Sequence, residues 1–304
     1  MPASLTVEFV SFADIAASGP AASGAEEGAS ALIVLAGEAM AFGAQTQRLV
    51  APAMAALERA ARAAKFKGKA GSSLDLLAPQ GLGWDRLIVL GAAPKGDESA
   101  PQPTDFVGLG GQAMGKLGGA TRVAVLFEPP GAADSAAAAD FALGAALRAY
   151  KFDLYRTKKK DDSDKDAPVA VTIAVADPAA ARAAHAPRAA LADGVVLARN
   201  LVNEPPNVVY PEEFANRAKE LEKLGVSVEI LDRQAMTALG MGALLGVGQG
   251  SVRESRVVIM RWNGAFLAQI VYAQLFQCRQ IRGGGNGAVS LLRQLLQAFH
   301  VGFS

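Results

Sequence analysis

Short apolar segments alternate with stretches in which apolar residues recur every three or four positions over the first 265 residues. Apolar runs of four to eight residues bounded by Gly, Pro or charge are typical of buried strands. The predicted strands are Leu5–Val10, Ala31–Ala36, Leu87–Gly91, Val123–Phe127, Val169–Ala176, Val226–Leu231 and Arg256–Trp262. The predicted helices cover residues 51–65, 105–117, 135–150, 188–203, 211–224 and 233–239. This alternation predicts an α/β fold with a mostly parallel sheet.

The length of 304 residues indicates two domains. The polar run at residues 157–167 is typical of an exposed loop beside a domain boundary. We therefore predict an N-terminal mixed-sheet α/β domain over residues 1–150 and the first part of a larger α/β domain over residues 151–265. Within the second domain, Pro205 and Pro206 are expected to end one helix, and Pro211 is expected to begin the next.

The composition changes sharply between Ala265 and Phe266. Residues 266–304 contain no Asp, Glu or Lys, yet they hold six of the 13 glutamines. We predict an atypical tail over residues 266–304, either a foreign segment or a basic, Gln-rich pair of terminal helices. One apolar helix face is predicted within it, formed by Leu291, Leu292, Leu295, Leu296 and Phe299. That face could pack on an open sheet edge, bind a membrane surface or partner, or aggregate.

Charge and cysteine content exclude several classes of function. The net charge of +1 provides no field that would attract nucleic acid or an anionic membrane. No apolar run reaches the roughly 18 residues of a membrane span. The first basic residue is Arg48, so no secretory signal is expected, and the single Cys278 cannot form an internal disulfide. We expect a cytoplasmic protein that binds neither nucleic acid nor membrane.

A glycine-rich segment has the spacing of a phosphate-binding loop. Residues Gly110–Lys116 match that pattern, but Leu117 occupies the position that requires Ser or Thr for magnesium. Gly108–Ala113 has only a weak likeness to a dinucleotide fingerprint. A nucleotide-binding α/β domain is therefore a minor hypothesis, and a glycine-rich helix start is favoured.

Other candidate motifs are incomplete. Asp162, Asp164 and Asp166 alternate as in a calcium loop, but Ala167 and Ile173 replace the required Gly and Glu, so a solvated charged loop is favoured. His185 is predicted to lie on the surface. No zinc-protease helix, Cys-x-x-Cys pair or nucleophile elbow occurs. Turns are predicted at two glycine clusters, residues 246, 248 and 250, and residues 283–285.

The second half of the body carries specific sequence signatures. They are Ala198–Asn207, Pro211–Ala215, Met241–Ser251 and Arg256–Trp262, preceded by Tyr150–Tyr155. In order and spacing these segments resemble the leucyl (cytosol) aminopeptidase family over roughly residues 145–265. Residues 1–145 fit its variable N-terminal domain only loosely. Asn200 stands where the family more often has Asp.

This resemblance implies a smaller α/β N-terminal domain followed by a larger catalytic domain. Members of the family are cytoplasmic metallo-aminopeptidases that remove N-terminal residues from peptides, with leucine favoured, and they assemble as hexamers. Two divalent ions, zinc or manganese, polarise the scissile carbonyl and activate water.

The same resemblance implies that the metal-binding motifs are missing. In the family they are Gly-Lys-Gly…Phe-Asp-x-Gly-Gly, Met-Lys-x-Asp-Met and Asn-Thr-Asp-Ala-Glu-Gly-Arg, and they would follow Trp262. From Phe266 onward the chain offers no carboxylate or amine, and His300 and Cys278 cannot replace such a cage. We therefore nominate no catalytic, cofactor-binding or metal residue, and expect a truncated, inactive chain without bound metal. The alternative is a non-catalytic module that joins aminopeptidase hexamers.

Overall fold

The computed structural model describes residues 5–20, 29–94, 103–131, 134–155 and 168–262, together with the backbone of residues 269–275. The chain divides into two compact units, Met1–Leu197 and Ala198–Ser304. Each unit is described separately below as the first and the second unit.

The first unit is built on a six-stranded sheet. Its strands are β1 (Leu5–Ser11), β2 (Ser30–Ala36), β3 (Ser73–Leu77), β4 (Arg86–Gly91), β5 (Arg122–Leu126) and β6 (Val169–Val175). Their order is β1-β6-β5-β2-β4-β3. All neighbours are parallel except β3, which is antiparallel to β4. The predicted mixed-sheet α/β fold is confirmed.

Helices pack on both faces of this sheet. They are α1 (Ala44–Val50), α2 (Met54–Ala64), α3 (Phe106–Gly115), α4 (Ser135–Ala149) and α5 (Pro178–Asn203). One core includes Leu57 of α2, and the other includes Leu109 of α3 and Phe141 of α4. All seven residues of β2 are buried, as expected for a central strand covered on both faces. Among the described helices, none is long and apolar enough to cross a membrane.

The sheet of the first unit extends beyond the domain boundary predicted at residue 150. Strand β6 lies between β1 and β5 and is hydrogen-bonded to both, so it belongs to this sheet rather than to the second unit. Helix α5 starts at Pro178, ten residues before its predicted start, and runs into the second unit. The division into domains at residues 150 and 265 stays a prediction.

The second unit contains a small antiparallel sheet. Its elements are α6 (Pro211–Lys219), β7 (Ser227–Leu231), α7 (Arg233–Ala238), α8 (Gly242–Gly248), β8 (Arg256–Trp262) and β9 (Gln269–Leu275). The strand order is β7-β8-β9. The apolar run Val257–Met260 was expected from the sequence to form a strand whose later neighbours are missing, but β9 pairs with β8 along seven residues. The buried cluster is small and consists of Ala215, Ala218 and Val258.

A carboxylate fixes the start of β2 in the first unit. Asp85 accepts hydrogen bonds from the Ser30 amide (2.7 Å) and the Ser30 hydroxyl (2.8 Å), and Ser30 itself is buried. The amide donation, followed by that of the hydroxyl, lowers the pKa of Asp85 below its ordinary value of 3.8, and the charge of Arg122 acts in the same direction.

We expect this pair to make stability depend on pH. Because the folded-state pKa of Asp85 is depressed, its contribution is complete above the unfolded value near 3.8 and is lost as pH falls through the lower folded value. Asp85→Asn should lower the free energy of unfolding by about 1 kcal/mol at pH 7. This is less than the loss of a buried hydrogen bond to a charged group would cost, because Asp85 is exposed. Urea unfolding of both proteins from pH 7 to pH 3 checks this. A difference that stays constant below pH 4 would contradict it.

Candidate functional site

The glycine-rich segment is helical, so the minor hypothesis of a phosphate-binding loop is wrong there. Residues 106–115 form α3, and the Asp105 carboxylate caps it by accepting from the Gly108 amide at 2.7 Å. A Cβ on Gly110 would lie 1.9 Å from the Phe141 carbonyl oxygen of α4. These glycines therefore let two helices approach closely, and the favoured alternative, a glycine-rich helix start, is confirmed. The likeness of Gly108–Ala113 to a dinucleotide fingerprint fails for the same reason.

Apart from His185, the structure describes only the first glycine cluster among the other candidate residues named from the sequence. Gly246 and Gly248 lie within α8, so the turn predicted there is wrong for these two residues. Three groups of candidates lie outside the described residues: the aspartates 162, 164 and 166, glycines 283–285, and the tail residues Cys278 and His300 with the apolar face at 291–299.

His185 is only partly exposed, contrary to the expectation of a surface residue. Its ring meets the ring of Phe9 edge to face, with centroids 5.4 Å apart and an interplanar angle of 61°. Burial lowers the pKa of His185 below its ordinary value, and the charge of Arg188 acts in the same direction. The edge-to-face contact with Phe9 gives this histidine a role in packing.

The segment with the specific sequence signatures forms a helix–loop–helix. Helix α5 ends at Asn203, and the Glu204 amide donates to the Asn200 carbonyl at 3.1 Å. The Pro205 carbonyl accepts from the amides of residues 208 and 209, and Pro211 begins α6. The prolines thus end one helix and begin the next, as predicted.

An arginine connects the two ends of this loop. Arg217 of α6 donates from both terminal nitrogens to both carboxylate oxygens of Glu204, at 2.6 Å and 2.9 Å. Its Nε donates to Glu213, one turn earlier in α6, at 2.9 Å. The Glu204 side chain is 9% exposed. Hydrogen bonding to Glu204, and then to Glu213, raises the pKa of Arg217.

The sequence analysis missed this bridge. The spacing of four residues between Glu213 and Arg217 is a visible signal for an intrahelical ion pair. Glu204 lies thirteen residues before Arg217 in the chain, with three prolines between them, so no periodicity indicates that these two residues pair.

A shallow groove of about 640 Å³ lies beside α7. Its carboxylates already have partners: Asp232 accepts from the Ala235 amide at the start of α7, and Glu254 accepts from Arg256 at 3.2 Å. The lining of the groove therefore carries charges of both signs, Asp232 and Glu254 beside Arg233 and Arg256, rather than a cluster of free carboxylates.

The described residues do not fit a pair of divalent ions. Among them, no group of three or more His, Cys, Asp or Glu side chains converges. Glu204 and Glu213, two of the carboxylates of the signature segments, are both engaged by the guanidinium of Arg217, whose charge would repel a cation. A two-metal centre needs free anionic oxygens, and these carboxylates do not supply them.

Family models match both parts of the chain. The N-terminal domain of the cytosol aminopeptidase family matches residues 32–159, and its catalytic domain matches residues 196–272. The second match includes α6, α8 and β8 and ends within β9. Together the two models cover more than half of the chain.

Individual relatives agree with these models. A probable cytosol aminopeptidase of Rhodopseudomonas palustris strain CGA009 is 56% identical over 235 residues, which are 77% of this chain and 46% of the relative. That of Bradyrhizobium sp. strain BTAi1 is 53% identical over 235 residues, with the same coverage of both chains. The chain thus spans about half the length of the curated relatives it matches.

Two solved structures share the fold. A mutant of tomato leucine aminopeptidase superposes with a TM-score of 0.68 at 21% identity, covering 88% of this chain and 52% of that one. The bottromycin maturation enzyme BotP in complex with Mn gives 0.59 at 22% identity, covering 77% and 45%. From the sequence signatures, the two family models and the relatives, we conclude that this chain belongs to the cytosol aminopeptidase family.

Proposed function

We propose that this chain supplies the N-terminal domain and the first portion of the catalytic domain of a cytosol aminopeptidase, and that alone it hydrolyses no peptide. The single observation that carries the second part is the engagement of Glu204 and Glu213 by Arg217, in a described chain without a cluster of metal-binding side chains. Residues 266–304 contain no Asp, Glu or Lys side chain that could bind a metal ion.

The complete activity is proposed from the family. Its chemistry is the release of N-terminal amino acids, leucine favoured, from peptides in the cytoplasm, by a hexamer with two manganese or zinc ions. The family match and the Mn complex of a structural neighbour support the metal class. Because no three His, Cys, Asp or Glu side chains converge among the described residues, we assign no catalytic step to this chain.

We expect the purified chain to show no hydrolysis of leucine p-nitroanilide above background with added Mn²⁺ or Zn²⁺. The Rhodopseudomonas palustris relative, assayed at the same concentration, serves as the positive control. Metal content measured after gel filtration should be well below one ion per chain. Metal-dependent turnover that co-elutes with the chain would refute the proposal.

A second candidate is a non-catalytic module that joins aminopeptidase hexamers. The extensive core of the first unit favours it, because buried residues cover both faces of the sheet and such a domain can fold without catalytic residues. Gel filtration of the chain mixed with the intact relative, run alongside the activity assay, separates the candidates. Elution with the larger enzyme supports a joining module, and separate elution removes it.

A further inference from the structure

Positive charge is concentrated in one segment of the first unit. Residues 59–74 contain five Arg and Lys residues and no Asp or Glu, whereas the whole unit has 19 basic and 21 acidic residues. All five basic side chains are exposed, and within the described part of the chain none of them forms an ion pair. We call these five residues the basic surface: Arg59, Arg62, Lys65, Lys67 and Lys69.

Helix α2 presents the first two of these cations to solvent. Leu57 and Ala61 are its buried residues, whereas Arg59 and Arg62 are exposed. Residues three positions apart are neighbours on a helix surface, with about 5–6 Å between their Cβ atoms. Arg59 and Arg62 are therefore an adjacent pair of positive charges.

Lys65 ends α2 in a backbone conformation that glycine usually adopts. Its φ is +52°, in the left-handed region, and its amide donates to the Ala61 and Arg62 carbonyls. Glycine is favoured at this position because it has no Cβ to strain the backbone. A cation here also suits the negative end of the helix dipole. Lys67 and Lys69 lie beyond the helix, so stabilisation of α2 does not account for the whole basic surface.

The backbone that carries Lys67 and Lys69 is fixed against the end of β2. The Lys67 carbonyl accepts from the Ala39 amide at 3.1 Å. A Cβ on Gly68 would lie 1.8 Å from the Gly37 carbonyl oxygen, so only glycine permits this close approach. Gly68 is buried between two exposed lysines. The two cations are thus held close together before any partner binds, which lowers the entropy cost of binding.

The charge around the basic surface favours a short anionic partner over a long one. Outside residues 59–74 the first unit carries 14 basic and 21 acidic residues. Screening at physiological salt limits attraction to about 8 Å, so a partner must place its negative charges over the basic surface itself. Duplex DNA that extends past this surface would meet like charge. A short segment rich in Asp and Glu avoids that repulsion.

The uncharged residues of the same segment disfavour a membrane as the partner. Those that are exposed within residues 59–74 are Ala63, Ala64 and Gly71. A surface that inserts into lipid presents large apolar side chains beside its cations, and these three residues provide none. The basic surface therefore offers charge alone.

We propose that the basic surface of the first unit binds an acidic polypeptide segment of a partner protein. Its cations pair with Asp and Glu carboxylates of that segment through charge-assisted hydrogen bonds. Because the contacts are exposed ion pairs, binding depends strongly on salt. The proposal is independent of the proposed function, since the catalytic-domain match begins at residue 196, outside residues 59–74.

The test measures binding of the full chain to a short fluorescein-labelled peptide of alternating Glu and Ser, by fluorescence anisotropy. We expect saturable binding that weakens about tenfold when NaCl rises from about 20 mM to about 200 mM. A peptide with Gln in place of Glu should not bind. Absence of binding, or equal binding of both peptides, would overturn the proposal.

A pair of double variants locates the binding surface. Lys67→Gln combined with Lys69→Gln should weaken peptide binding about tenfold, because it removes two of the five cations. The matched control, Lys116→Gln combined with Lys219→Gln, removes two other exposed lysines and changes the net charge equally. Binding should be unchanged in the control. Equal losses in both double variants would assign binding to net charge and overturn the proposal.

Lys65→Gly separates binding from folding. Glycine relieves the positive φ, so the Tm should stay constant or rise, while peptide binding weakens about threefold. Unchanged binding in this variant would exclude Lys65 from the surface and contradict the proposal as stated.

Competition distinguishes the other anionic partners. Duplex DNA, or vesicles of phosphatidylcholine with phosphatidylserine, is added to the complex of chain and labelled peptide. At equal concentrations of negative charge, both should displace the labelled peptide less than the unlabelled peptide does. Stronger displacement by DNA would overturn the proposal in favour of a nucleic acid, and stronger displacement by vesicles would overturn it in favour of a membrane.

Discussion

Replacing Gly144 with alanine should destabilise the first unit by about 2–3 kcal/mol. The added Cβ would lie 1.9 Å from the carbonyl oxygen of Val107 in α3, and neither atom can move without shifting a helix backbone. The gain in helix propensity, about 1 kcal/mol, is too small to offset this clash. Urea unfolding followed by circular dichroism measures the change in the free energy of unfolding.

The same substitution at Gly111 provides a matched control. Gly111 lies inside α3, as Gly144 lies inside α4, but a Cβ on Gly111 would meet nothing closer than the Gly144 carbonyl oxygen at 3.7 Å, an ordinary contact. Gly111→Ala should therefore be neutral or stabilise by up to about 1 kcal/mol. Equal effects at both positions would show that α3 and α4 are not in the close contact described above.

Replacing Arg217 with methionine should loosen the second unit by about 2–3 kcal/mol. Methionine keeps most of the side-chain length but leaves the nearly buried Glu204 and the adjacent Glu213 without their cation. Breaking a fully buried pair costs about 3–5 kcal/mol, and the 27% exposure of Arg217 reduces that figure. Hydrogen exchange of the α6 amides, residues 212–219, reports the local free energy of opening.

A second arginine in the same unit controls for loss of charge. Arg261 pairs with Glu229 at 3.2 Å, and both side chains are at least 44% exposed. Arg261→Met should change stability by less than about 1 kcal/mol, as exposed ion pairs do. A cost as large as that of Arg217→Met would contradict a special role for the bridge to Glu204.

The regular elements were predictable where the chain repeats a pattern. The buried run of β2 and the periodic helix α4 correspond to predictions from the sequence, because burial on both faces leaves an uninterrupted apolar run and burial on one face leaves helical spacing. Strand β3 was missed, since it is five residues long and contains Asp75 at the edge of the sheet. Helix α8 was missed because three of its seven residues are glycine.

The candidate site was predictable only in part. The signature at residues 198–207 and the helix boundaries at Pro205 and Pro211 are local properties, and they identified the family. The bridge from Arg217 to Glu204 joins α6 to the residue that follows α5. It depends on how the loop between these helices folds, and residue spacing along the chain does not indicate that. Glycine spacing alone does not distinguish a loop around a ligand from a helix packed against a helix; the missing Ser or Thr at Leu117 is what made the phosphate loop only a minor hypothesis.

The sequence by itself determined the α/β class, most strands and helices, and membership of the cytosol aminopeptidase family, because these depend on periodicity, proline positions and short signatures. Only the tertiary structure decided that β6 completes the first sheet, that Gly110 and Gly144 serve helix packing, and that the backbone of residues 67–69 is fixed against the end of β2. These features arise from contacts between residues far apart in the chain. The apolar pattern of a segment indicates that it is buried, but it does not indicate which other segment covers it.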